Sequence, residues 1–177
     1  RLAVGFYNED PETGKIMRTD QFELDVDGEL TIVEAAAGKA RPSLILVNDD
    51  DLTYTKLRFD EKSLKFAAEN LYRFDDALAR SVIWLAFWDM TRDGELPAKQ
   101  FVETSLAALA TEHESTTFRY ALAQVSTTAW HYTAPADRAE VVEHVAAELF
   151  KLAQAAEAGS DEQFQLITAY LGYGEPG

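Results

Sequence analysis

The sequence predicts an α+β protein: a small antiparallel β-sandwich of about five strands over residues 1–60, then an α-helical hairpin array resembling an α-solenoid over residues 61–177. Two observations carry this reading. Apolar residues alternate with period two up to Asp60 and recur with the helical period of 3.6 beyond it. The connections between the helical segments are also short, which favours antiparallel neighbours packed as hairpins.

The chain opens "RLAVGFYNED", with Leu2, Val4 and Phe6 alternating against Ala3, Gly5 and Tyr7. It therefore starts inside a strand, and without a methionine. Because an N-terminus ordinarily frays before its first element, the chain is expected to be a piece of a longer polypeptide. In "QFELDVDGELTIVE", Phe22, Leu24 and Val26 alternate with Gln21, Glu23 and Asp25, Asp27-Gly28 supplies a two-residue hairpin turn, and Leu30 and Ile32 resume the alternation. "SLILVN" (43–48) is an apolar run of strand length. "YTKLRF" (54–59) sets Thr55, Leu57 and Phe59 against Lys56 and Arg58. Between these two strands stand Asp49, Asp50 and Asp51.

About six helices are expected, near 61–72, 75–92, 97–111, 116–132, 135–157 and 161–172. Phe118, Leu122, Val125, Ala129 and Tyr132 fall on one helical face, as do Val141, Val145, Leu149, Leu152 and Ala156. Pro97 and Pro135 suit first-turn positions. Ser160 and Gln163 have the spacing of a capping box. The segment "SVIWLAFWDM" (81–90) is apolar around almost its whole circumference, so its helix should be covered on several sides and form the spine of the helical part.

Composition narrows the function classes. Sixteen basic against 31 acidic residues give a formal charge of −15, which repels a phosphate backbone and argues against nucleic acid as a partner. With no cysteine there is neither a disulfide framework nor a thiolate nucleophile or metal site, which suits a cytoplasmic location. The longest apolar run, Val82–Trp88, falls far short of the ~20 residues that span a bilayer, and no signal-peptide pattern is seen, so no membrane partner is expected.

The search for a catalytic, cofactor or metal site ends with none assigned. A zinc protease needs H-E-x-x-H so that two histidines one helical turn apart reach one ion. His113-Glu114 begins that pattern, but Ser-Thr-Thr follows. Glu140, His144 and Glu148 lie one turn apart in succession and are the residual metal-site candidate, weighed against an ordinary solvated helix face beside an apolar stripe. Gly14-Lys15 and Gly38-Lys39 have Glu9 and Val33 where a phosphate loop needs its first glycine, and neither G-x-S-x-G nor G-x-G-x-x-G occurs. Trp84, Phe87 and Trp88 are read as packing residues rather than a ligand pocket. Counted from Asp49, a calcium loop would need glycine at its sixth place and glutamate at its twelfth. The chain has Tyr54 and Asp60 there, so the three aspartates are read as a turn.

"LILVNDDDLTYTKLRFDEKSL" followed by "LARSVIWLAFWDMTRDGELPAKQFV" resembles the C-terminal half of the aminopeptidase N family of zinc aminopeptidases (gluzincin type), most closely its actinobacterial branch. The first stretch, with Asn48, Tyr54 and Asp60, resembles the last strands of the family's small β-sandwich domain. The second, with its polar turn and glycine between Trp88 and Phe101, resembles the opening helices of the all-α C-terminal domain. The resemblance extends over most of 1–172.

It implies a parent enzyme that removes N-terminal residues from peptides with zinc bound by H-E-x-x-H and a further glutamate, all in a catalytic domain preceding Arg1. It also implies that the helical part closes over the active-site chamber and limits access to peptides, and that the sandwich joins it to the catalytic domain. The fragment alone is then non-catalytic, with no cofactor of its own. Its partners are the catalytic domain of the same polypeptide and peptide substrates. Two alternatives stand beside it: a freestanding helical-repeat protein-interaction module, and a metal-dependent enzyme built on Glu140, His144 and Glu148.

Overall fold

The computed structural model describes residues 1–174, and the chain divides into two compact units, Arg1–Asp89 and a second that begins at Met90. The units divide well after the change from strand to helix at Asp60, so the first unit takes in helices as well as strands.

In the first unit, β1 (Leu2–Glu9), β2 (Ile16–Leu24) and β3 (Leu44–Asp49) form one antiparallel sheet in the order β2-β1-β3. Val4 lies opposite both Phe22 and Val47, and a bulge between Phe6 and Tyr7 shifts the β1–β2 register so that Tyr7 faces Arg18. β1 is buried on both faces: Ala3, Val4, Phe6 and Tyr7 are all inaccessible. The alternation in the sequence is real, yet both of its phases are core, because Phe6 meets Phe22 edge-on at 5.1 Å while Tyr7 meets Phe74 at 5.6 Å.

Helix α1 (Glu61–Asn70) packs on β3 and is started by Asp60, whose carboxylate accepts from the amides of Lys62 and Ser63 at 3.0 and 3.1 Å. A 3-10 turn, Leu71–Arg73, follows. Helix α2 (Ala77–Arg92) has Asp76 accepting from the Leu78 amide at 2.8 Å, and it buries Val82, Ile83, Trp84, Ala86 and Phe87, as its apolar circumference predicts.

The sandwich of five strands is not found: the described residues hold three. Gly28 does adopt the positive φ of a turn, 70°. The hairpin nevertheless fails to form, because the Thr31 hydroxyl accepts from the Asp27 amide and donates to the Asp27 carbonyl, both at 3.1 Å, and closes the loop on itself. Residues 54–59 also stay out of the sheet. The outer edge of β3 is met instead by α1, where the Ser63 hydroxyl accepts from the Ile45 amide at 3.1 Å. Leu57 is buried without a strand, and Phe59 stands edge-on to Phe87 at 5.6 Å.

In the second unit, α3 (Ala98–Leu109) and α4 (Ser115–Thr127) are neighbours, as are α5 (Arg138–Ala155) and α6 (Asp161–Leu171). α3 also lies beside α5, and α4 beside α6. These are two stacked helical hairpins, fewer than the three or more repeats that make a solenoid stable. The periodic pattern running to Tyr132 is explained by a π-helical turn, Thr128–Tyr132, that extends α4 and ends where the Thr133 amide and hydroxyl both donate to the Thr128 carbonyl at 3.0 Å. Ser160 caps α6 by accepting from the Gln163 amide at 3.1 Å, while the Gln163 side chain accepts from the Gly159 amide at 2.9 Å, a capping box shifted by one residue.

Candidate functional site

The aspartate row at the end of β3 is the most organised polar cluster of the first unit. Asn48, Asp50 and Asp51 have φ of 57°, 67° and 52°, the left-handed region that asparagine and aspartate tolerate best among non-glycine residues. Buried Asn48 holds the turn: its side-chain nitrogen donates to the Thr53 carbonyl at 2.7 Å, and its oxygen accepts from the Thr53 amide at 3.0 Å. With residues on either side left-handed, Asp49 points inward and is 1% exposed.

Every oxygen of that carboxylate is occupied. Oδ1 accepts from the Tyr7 hydroxyl at 2.7 Å, and Oδ2 accepts from Arg18 Nη1 at 2.9 Å and Gln21 Nε2 at 3.2 Å. Arg18 also donates to Asp50 at 2.6 Å. Burial, then the hydrogen bond to Asp49, pushes the Tyr7 phenol far above its ordinary range. The bonds from Arg18 and Gln21 hold the Asp50 carboxyl below the usual carboxylate range. Gly5 belongs to the same cluster, since a Cβ there would sit 2.6 Å from Asp49 Cγ and 2.8 Å from Tyr7 Cε2.

A buried carboxylate that accepts three hydrogen bonds, one of them from an arginine, is already engaged on both oxygens, and a phenol held protonated is no base. The cluster is a clamp tying together the three strands. Asp49 was visible in the sequence only as a turn residue. Its partners Tyr7, Arg18 and Gln21 lie 28 to 42 residues away, and no local signal links them.

The three-residue metal candidate is dispersed. His144 Nε2 lies 2.9 Å from Glu103 Oε1 on α3, Glu140 lies 3.7 Å from Lys99, and Glu148 pairs with Lys151 at 2.6 Å. The His144 contact is a close approach without the alignment of a hydrogen bond. Lys99, Glu103, Glu140 and His144 thus line a shallow groove of about 270 Å³ between α3 and α5, in which each side chain already faces another of opposite or complementary character. His113 pairs with Glu162 at 3.0 Å. Among the described residues no three His, Asp or Glu side chains converge as metal ligands do. The zinc that the resemblance implies does not fit this chain, which has no H-E-x-x-H to receive it.

A second cleft of about 330 Å³ lies between α4 and α6, walled by Leu122, Ala123, Phe164 and Ala169 with Arg119 and Gln165 also lining it. Its chemistry is that of an apolar recess. It holds no cysteine, histidine or carboxylate, the groups that would supply a base. Among the described residues no helix is long and apolar enough to cross a membrane.

Comparison with known proteins bears on what these clefts belong to. Residues 44–176 match the family model described as the ERAP1-like C-terminal domain. The chain is also 40% identical over 170 residues to Aminopeptidase N of Streptomyces lividans, an alignment covering 96% of this chain but 20% of that protein. The chain therefore spans about a fifth of the length of the relative it matches.

Proposed function

Given that the chain belongs to the ERAP1-like C-terminal domain family, as a C-terminal region of aminopeptidase N type, we propose that it is the non-catalytic part of a zinc-dependent enzyme that removes N-terminal residues from peptides. In this reading the chain encloses the active-site chamber and restricts what enters it. The observation that carries the proposal is the match along 96% of this chain to one fifth of an aminopeptidase N. The remaining four fifths have room for the H-E-x-x-H centre that these residues lack.

In the same reading the three-stranded sheet belongs to a sandwich domain ending near residue 60, and the helical hairpins belong to a longer superhelical array. The catalytic domain of the same polypeptide and its peptide substrates are the partners, zinc sits in that catalytic domain, and the location is cytoplasmic. The formal charge of −15 would favour the free α-amino end of an incoming peptide.

Two measurements test this. Residues 1–177 alone should not hydrolyse an aminoacyl-p-nitroanilide above background with or without zinc; zinc-dependent turnover would refute the non-catalytic assignment. The polypeptide carrying this chain behind its catalytic domain should trim short peptides while leaving the N-terminus of a folded protein uncut, and equal cleavage of both would refute enclosure. A freestanding interaction module remains the second reading, favoured by the exposed face of α6 formed by Phe164, Ile167 and Leu171. A start codon directly before Arg1 would decide for it.

A further inference from the structure

The cleft between α4 and α6 has a chemistry that the proposed function leaves unused. Ala123 on α4 and Ala169 on α6 are too small to fill the space between their helices, and a recess of about 330 Å³ remains, bounded by Leu122 and Phe164. That volume is at the lower end of small-molecule sites. Leu122 is buried while Phe164 is 69% exposed, so one aromatic wall of the recess stands in solvent.

The neutral polar side chains at the cleft are engaged elsewhere. The Thr168 hydroxyl donates to the Phe164 carbonyl at 2.8 Å, and Gln165 Nε2 donates to Asp161 at 2.6 Å. Among the described residues Arg119 is the one charged side chain lining the cleft. Its guanidinium carbon lies 5.7 Å from the centroid of the Tyr120 ring, and it pairs with no described carboxylate. In a chain with 31 acidic residues that is unusual. In the same unit Lys99 stands 3.5 Å from Asp137, and Lys151 stands 2.6 Å from Glu148.

Charge and shape together select the occupant. An apolar body can replace water between Leu122 and Phe164, and a planar carboxylate can take two parallel hydrogen bonds from the guanidinium fork. An amino group is disfavoured, because the cleft offers it no carboxylate and presents a cation instead. We infer that the α4–α6 cleft is a binding site for a small monocarboxylic acid with an apolar body and no amino group, held through its carboxylate by Arg119. This site goes beyond the peptidase reading, since a free amino acid or a peptide N-terminus carries the ammonium group that the cleft rejects.

Hydroxyl-radical footprinting on the full-length polypeptide tests it. The probe is 3-phenylpropanoate, and phenylalanine, the same skeleton with an added ammonium group, is the matched radical scavenger. Without either, Phe164 should be oxidised readily. With 3-phenylpropanoate its oxidation should fall below the level measured at an equal concentration of phenylalanine. Arg119→Gln alters an exposed side chain and should raise the 3-phenylpropanoate concentration for half-protection about threefold, the worth of an exposed ion pair. The uncharged 3-phenylpropan-1-ol should need the same concentration in both proteins. Equal protection by phenylalanine and 3-phenylpropanoate overturns the site, as does a half-protection concentration that Arg119→Gln leaves unchanged. A Phe164 that resists oxidation before any probe is added also overturns it, because another segment of the polypeptide or a second copy then fills the cleft.

Discussion

Replacing Asp49 by alanine should be the most damaging single polar substitution in the first unit. It leaves the fully buried Tyr7 hydroxyl without its acceptor and removes one of the two carboxylates that hold Arg18. An orphaned buried hydroxyl costs ~1–3 kcal/mol. Breaking a buried ion pair by removing one member costs ~3–5 kcal/mol, but the Arg18 side chain is 34% exposed and keeps Asp50, so the lower end of that range applies. We expect a total of about 4–6 kcal/mol.

Tyr7→Phe removes only the donor and should cost ~1.5–2 kcal/mol, the worth of a hydrogen bond to a charged group. Because the two substitutions delete one shared bond, the double variant should fall short of the sum by at least ~1 kcal/mol. Urea unfolding followed through hydrogen exchange of β1 amides reads the first unit by itself. A loss below ~1 kcal/mol for Asp49→Ala, or strict additivity with Tyr7→Phe, would refute the clamp.

Other consequences are equally measurable. Gly5→Ala should destabilise the same β1 amides by ~2–3 kcal/mol, since its Cβ would press on a carboxylate and a ring that packing holds in place. Asp60→Ala should cost about 1 kcal/mol by uncapping α1, seen as faster exchange of the Lys62 and Ser63 amides. Burial opposes ionisation of Asp60, but its bonds from Ser63 and Arg41 prevail, and its folded pKa, like that of Asp50, is lowered below the ordinary 3.8. Stability from these groups is therefore fully present above pH 3.8 and is lost as pH falls through the lower folded values. An acid titration of Asp60→Ala should lack its share of that loss. Zinc added to residues 1–177 should leave the melting temperature unchanged, and His144→Ala should not alter that result, because the three candidate ligands face Glu103, Lys99 and Lys151 instead of one another.

The six helices were legible in the sequence, with ends that differ from the structure by up to three residues and with the last turn of the fourth wound as a π-helix. Their signals are local: a 3.6-residue period, Ser160 with the spacing of a cap, and turns between, whereas Asp60 shows itself as the cap of α1 only in the structure. The strands were legible only where the tertiary structure gave them a partner. "DVDGELTIV" reads as well as any strand in the chain, yet a hydroxyl four residues away closes it into a loop, and its apolar side chains face water. "YTKLRF" yields its place to α1 because Ser63 reaches Ile45 on that side of β3. A strand pattern states what a segment can do, and sheet membership depends on an edge supplied from far along the chain.

By itself the sequence determined the passage from strands to six helices, the absence of an H-E-x-x-H centre and the family resemblance, all of which depend on residues near one another in the chain. Only the tertiary structure decided the fate of the aspartate row. Two flanking residues in the left-handed region turn Asp49 inward, and there Tyr7, Arg18 and Gln21 consume its charge. Nothing within a few positions of Asp49 encodes that outcome, because its partners meet it only when β1 and β2 are laid beside β3.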